Sequence, residues 1–105
     1  MTLDDLQQRV DTWIRTHDDY WTEFQILARM TEELGEVSGA LQRQAGLRPR
    51  RSEVDLRSEV GDLLFTLAAF ANKLDIDLTQ SIDQVFAKYD ERDAAAWRAK
   101  NQRDS

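Results

Sequence analysis

Two short phrases repeat along the chain, Glu33-Leu34-Gly35-Glu36 and Glu59-Val60-Gly61-Asp62, each reading acid, apolar, glycine, acid. Both sit in stretches whose apolar residues recur with a helical period. Residues three apart on a helix lie about 60° apart around its axis, so each phrase points its two carboxylates the same way. Two such helices packed together would gather four carboxylates at one point. Four anions cannot share a low-dielectric site unless something positive sits between them. A hard divalent cation, Mg²⁺ or Mn²⁺, prefers oxygen ligands of this kind. Magnesium held by carboxylates on one side commonly receives phosphate oxygens on the other, where it orients and polarises phosphoryl groups and activates water. No serine, histidine or cysteine nucleophile is evident, so hydrolysis by activated water is the simplest chemistry.

Glu32 adds a fifth acid, about 40° around the axis from Glu36, placed to reach a second ion or to position water. An arginine partner would explain one buried acid, but not four in matched pairs. Gly35 and Gly61 each cost roughly 1 kcal/mol in a helix relative to alanine. Their places beside the acid pairs predict a close approach of the two helices there.

The elements that must carry these acids are helices. The chain has one proline and four glycines, and its β-branched residues are scattered. Four helical segments are expected. The first spans Leu3–Arg15, with Thr2 as N-cap, Asp5 completing a capping box, and Leu6, Val10, Trp13 and Ile14 as its apolar stripe. Residues 17–20 read as a turn. The second runs over about 22–45, with Met30, Glu33, Val37 and Ala40 at core spacing and Leu27, Leu34 and Leu41 as a parallel seam. Residues 46–52, with glycine, proline and Arg48, Arg50 and Arg51, form the clearest loop. The third helix covers about 53–74. Over 60–71 it is apolar nearly all round, with Asp62 the only charge, which predicts a central, buried helix. Asp77 caps a fourth helix over about 78–99, with Gln80 completing a second box and Ile82, Val85, Phe86 and Tyr89 on its apolar side. Residues 100–105 read as a frayed polar tail.

The 105 residues make a single domain spanning 1–105, with 41% hydrophobic and 32% charged residues, as a globular chain requires. The core of so short a helical chain is modest, and oligomerisation often adds to its stability. A net charge of −6 disfavours nucleic acid and anionic membrane surfaces as partners. There is no cysteine, hence no disulfide and no thiolate chemistry. The acidic start is unlike a secretory signal, and no apolar run reaches the roughly 18 residues of a membrane span. The expected location is the cytoplasm.

Glu32-Glu33-Leu34-Gly35-Glu36 followed by Glu59-Val60-Gly61-Asp62 resembles the EExxE…ExxD signature of MazG-like nucleotide pyrophosphohydrolases. Leu63-Leu64-Phe65 after the second pair, the turn Leu74-Asp75-Ile76-Asp77, and Lys88-Tyr89-Asp90-Glu91-Arg92 against the family's KFxxR segment extend the resemblance over about 20–97. It implies an all-α NTP pyrophosphatase-like bundle of four helices, assembled as a homodimer or homotetramer. The implied activity is Mg²⁺-dependent hydrolysis of a nucleoside triphosphate to the monophosphate and pyrophosphate. The resemblance makes Glu33, Glu36, Glu59 and Asp62 metal ligands and Glu32 the supporting acid. Lys88 and Arg92, four apart, match the family's basic residues near the phosphates; solvation or pairing with Asp90 or Glu91 is the other role open to them.

For the base, Tyr20, Trp21 and Phe24 precede the first acid motif and can either stack on it or pack in the core. Asn72 can read a base or ribose edge or cap a helix. His17 is expected at the surface or in the turn. The arginine loop can close over phosphates or stay solvated. Related all-α enzymes acting on phosphoribosyl-ATP or dUTP are the near alternative, and a non-catalytic helical nucleotide- or partner-binding module is the distant one. Retention of every acid of the signature favours catalysis.

Overall fold

In the computed structural model, which describes residues 1–50 and 55–104, local sequence signals set the helix ends. Helix α1 spans Leu3–Arg15, α2 Glu23–Gln44, α3 Leu56–Lys73, α4 Leu78–Lys88 and α5 Ala94–Asp104, with a five-residue π-helical segment, Tyr89–Asp93, joining the last two. No strand occurs among the described residues. The expected start of the third helix at Glu53 and Arg51 of the basic loop lie outside the described residues.

Thr2 and Asp5 exchange two hydrogen bonds of 3.0 Å at the start of α1, and Thr22 and Gln25 close the same kind of box on α2. Each box satisfies amides that a helix start leaves without partners. Between these helices the backbone reverses through Asp18 and Asp19, both left-handed at φ 73° and 67°. Aspartate tolerates that region better than most residues. Gly46, at φ 80°, ends α2 in a conformation that favours glycine. Asp77 caps α4 by accepting from the Thr79 and Gln80 amides at 2.9 and 3.4 Å. A further partner of this helix start comes from far away in sequence: the Leu78 amide donates to Gln7 Oε1 at 2.9 Å.

Four expectations are corrected. The single fourth helix is divided, because i→i+5 bonding over Tyr89–Asp93 interrupts the α-helical ladder. The segment read as a frayed tail continues α5 to Asp104, consistent with its alanine, lysine and glutamine content. Helix α3 is not buried all round. Its Ala68, Ala69 and Ala71 are inside, but Val60, Leu64 and Leu67, like Leu27, Leu34 and Leu41 of α2, remain between 41% and 57% exposed. Helices α1 and α2 pack on one side of α3 and leave the other uncovered. Finally, Gly35 and Gly61 do not mark a close helix approach, since a β-carbon at either would meet nothing within 4 Å. The crowded glycine is Gly39.

The core is small. Val10 and Ile14 of α1, Ile26 of α2, and Ala68 and Ala69 of α3 form it, with Leu6, Tyr20, Phe65, Phe70 and Leu78 packed against it. A radius of gyration of 17.2 Å exceeds the roughly 13 Å of a compact chain this long. The tie between α1, α3 and the start of α4 is polar. Gln7 Nε2 donates to Asn72 Oδ1 at 3.0 Å and to the Ile76 carbonyl at 2.8 Å, and Asn72 Nδ2 donates to the Gln7 carbonyl at 2.9 Å.

Candidate active site

Glu33 is the one charged residue buried among the described residues, 5% exposed on the face of α2 that meets α3. Its helical spacing from Met30, Val37 and Ala40 puts it there. Across the interface, Glu59 and Asp62 project from the first two turns of α3. Ligand oxygens of Glu33, Glu59 and Asp62 all lie within 4.8 Å of one another. A cavity of about 250 Å³ over them is lined by Arg29, Glu32, Glu33, Glu36, Glu59 and Asp62. The four acids of the two phrases and Glu32 therefore share one cavity, and three of them form its tight centre.

The cluster's electrostatics show the strain of gathering like charges. Burial, then the charges of Asp62, Glu36 and Glu33, push the Glu59 carboxyl above its ordinary range, while Arg43 opposes the rise. Arg29 supplies an internal cation: its Nε donates to Glu33 Oε1 at 2.9 Å, one helical turn away, and its Nη1 approaches Glu32 Oε2 at 3.5 Å. The all-oxygen donor set, with one acid buried and a second held short of easy ionisation by its neighbours, fits a hard divalent cation.

A second cavity, of about 560 Å³, opens beside the first and shares Arg29, Glu33 and Asp62 with it. Its apolar wall is Trp13, Trp21, Ile26 and Phe65, with His17 and the Asp18-Asp19 turn at its edge. The His17 ring stacks on Trp13, with centroids 4.0 Å apart and planes 11° from parallel, and Phe65 meets Trp13 edge-on at 5.6 Å. A cavity walled by aromatic rings suits a planar heterocycle. Trp13, His17 and Phe65 are functional candidates that the sequence reading missed. The available signal was the four-residue spacing of Trp13, in the last turn of α1, and His17, in the turn just past its end.

The remaining predicted residues fall elsewhere. Trp21 lines the aromatic cavity, but Phe24 is 75% exposed and lies outside it. Tyr20 packs on the core, and its phenol, pushed up to about 12 by burial and then by its bond to Asp11, donates to that carboxylate. Asn72 is engaged with Gln7 and touches neither cavity. Lys88 and Arg92 are exposed, on α4 and the π segment, and line neither cavity. Arg92 lies in the π segment, so α-helical spacing does not relate it to Lys88.

Comparison with known proteins places this arrangement in a family. Residues 22–97 match the family described as the MazG nucleotide pyrophosphohydrolase domain. The chain is 36% identical over 105 residues to the uncharacterised protein YpjD of Bacillus subtilis (strain 168), an alignment covering 96% of this chain and 95% of that one. A crystal structure of YpjD from Bacillus subtilis superposes with a TM-score of 0.75 at 35% identity, covering 85% of this chain and 95% of that chain. The crystal structure of a Bacillus-conserved MazG protein, described as a nucleotide pyrophosphohydrolase, does so with a TM-score of 0.75 at 33% identity, covering 89% and 94%.

Proposed function

The chain belongs to the MazG nucleotide pyrophosphohydrolase family, and from that premise we propose that it hydrolyses a nucleoside or deoxynucleoside triphosphate to the monophosphate and pyrophosphate with Mg²⁺, or Mn²⁺, in the acid cavity. The observation that carries this reading is the shared wall. Glu33 and Asp62 belong both to the acid cluster and to the aromatic cavity, so a base held in one cavity delivers its phosphates to the other.

Glu33, Glu36, Glu59 and Asp62 would hold the cation, which when bound supplies Lewis-acid polarisation of phosphoryl oxygens and a more acidic water. The chain's own groups do the rest. Trp13, Trp21 and Phe65 exclude water from the base and orient it. Glu32, exposed at the mouth of the acid cavity, orients water or a second ion. Arg29 balances Glu33. Asn72 serves the fold through Gln7, and Phe24 stays outside the base slot. Lys88 and Arg92 contact phosphates only in an assembly that brings α4 of one copy to the acids of another.

We infer a second copy of the chain as the cover for the exposed face of α2 and α3. Six large aliphatic side chains lie half in water there, and the single chain is more extended than its length requires. A homodimer, or a dimer of such dimers, would bury that face.

The deciding experiment is pyrophosphate release from a panel of NTPs and dNTPs, including dUTP, with phosphoribosyl-ATP, at saturating Mg²⁺. At least one substrate should turn over, and a chelator should stop it. A protein that binds Mn²⁺ yet hydrolyses nothing on the panel would make this reading wrong.

A further inference from the structure

Two arginine side chains meet over a glycine near the acid cavity. Arg43 lies on α2 two turns beyond Glu36 and on the same face, and Arg48 lies in the loop that follows. Gly39 is buried between them. A β-carbon at Gly39 would stand 3.1 Å from Arg43 Nη1 and 3.4 Å from Arg48 Nη1. Glycine thus leaves the space that a guanidinium occupies. Arg43 Nη1 is itself buried and has no hydrogen-bond partner among the described residues. A buried donor of a charged group without an acceptor is costly, and a second guanidinium beside it adds repulsion. An anion with several oxygens would relieve both.

The position of the pair along α2 indicates which anion. Ile26 lines the aromatic cavity, Glu33 the acid centre about 10 Å further along the axis, and the Arg43 guanidinium, folded back against Gly39, lies level with a point about 9 Å beyond Glu33. Base slot, acids and basic pair lie in the order of base, reacting phosphorus and terminal phosphates in a nucleoside triphosphate.

We propose that Arg43 and Arg48, cradled by Gly39, form the subsite for the terminal phosphates of the substrate and hence for the departing pyrophosphate. This rests on the nucleotide pyrophosphohydrolase reading above. Guanidinium groups suit the task, because their planar forks pair with two phosphate oxygens at once and lose no charge at any working pH. Pyrophosphate carries enough charge to engage both.

The test is calorimetric titration of inorganic pyrophosphate, in excess Mg²⁺, into the full chain and three variants. Arg48→Ala should weaken pyrophosphate binding about tenfold or more, and Arg48→Lys should recover part of it. Gly39→Ala keeps both charges but displaces the Arg43 guanidinium, and should weaken binding several-fold. Mn²⁺ affinity, titrated separately, should stay within twofold throughout. Pyrophosphate affinity within twofold of the parent in both Arg48→Ala and Gly39→Ala would overturn the proposal, as would a parallel fall in Mn²⁺ affinity, which would mean general damage. Arg48 is exposed on a loop, so its variants keep the test valid even where changes inside α2 unfold the chain. A parent enzyme that cleaves no nucleotide would instead refute the function proposed above, and the pyrophosphate comparison would still stand on its own.

Discussion

Arg29 and Glu33 form an ion pair of 2.9 Å in which the carboxylate is buried and the guanidinium side chain is 52% exposed. Glu33 is therefore balanced without any metal. Breaking a fully buried pair costs about 3–5 kcal/mol, and half exposure of Arg29 reduces that to about 1–2 kcal/mol here. Arg29→Met should lower the melting temperature of the metal-free protein by several degrees. Saturating Mg²⁺ should restore it, because the cation takes over the balancing charge. Thermal unfolding with and without Mg²⁺ checks this; a loss that Mg²⁺ leaves untouched would count against it.

Asp62 is exposed on α3, so changing it should spare the fold. Asp62→Asn keeps the shape and removes the charge. Pyrophosphate release should fall on the order of 10²–10³, the scale on which one electrostatic contact to a transferring group acts. Mn²⁺ affinity should fall with it, and the melting temperature of the metal-free protein should not drop.

Trp13 faces the aromatic cavity with His17 stacked on it. Stacking of a base on an aromatic ring is worth about 1–3 kcal/mol. Trp13→Ala should therefore raise KM roughly ten- to a hundredfold while changing kcat less. Steady-state kinetics separates the two, and a loss confined to kcat would place the base elsewhere.

Asn72 and Gln7 tie α1 to α3 by two reciprocal hydrogen bonds. Asn72→Ala removes two part-buried hydrogen bonds, while Gln7 keeps its bonds to the Ile76 carbonyl and the Leu78 amide, so the cost is about 0.5–1.5 kcal/mol for each bond lost. The melting temperature should drop, while kcat/KM measured well below it should stay within about twofold. A selective change in base preference would instead assign Asn72 to the substrate.

The Glu59 carboxyl titrates above its ordinary value of 4.5 because of burial and its acid neighbours. A carboxyl whose pKa rises on folding favours the protonated form in the folded state. Its contribution is fully present below the unfolded value and is lost as pH rises through the raised one. Glu59→Gln imitates the protonated form. Metal-free Glu59→Gln should melt above the parent at neutral pH, and the gap should close as pH falls toward 4.5. A gap independent of pH would contradict the argument.

The helices and the acid pairs were legible in the sequence because their determinants are local. Capping boxes at Thr2 and Thr22 join residues three apart, and the core spacing of Glu33 depends only on helix geometry. The gathering of Glu33 with Glu59 and Asp62 followed from two helices that had to pack. Other features could not be read this way. Asn72 finds its partner 65 residues away, so nothing near it marked it as a tie between helices. Trp13 looked like one more apolar residue until α1 crossed α3 and left Trp13, Phe65 and Trp21 around one space. Gly35 and Gly61 looked like contact points, yet the packing crowds Gly39 instead. The apolar run of α3 set how much surface needs cover but not which chain supplies it. Sequence alone determined the helical periods, the caps and the acid donors, which depend on residues within a turn or two of each other. The aromatic cavity, the Gln7–Asn72 tie and the arginine pair over Gly39 were decided by tertiary structure, because each depends on which face of one helix meets which face, or which following loop, of the chain.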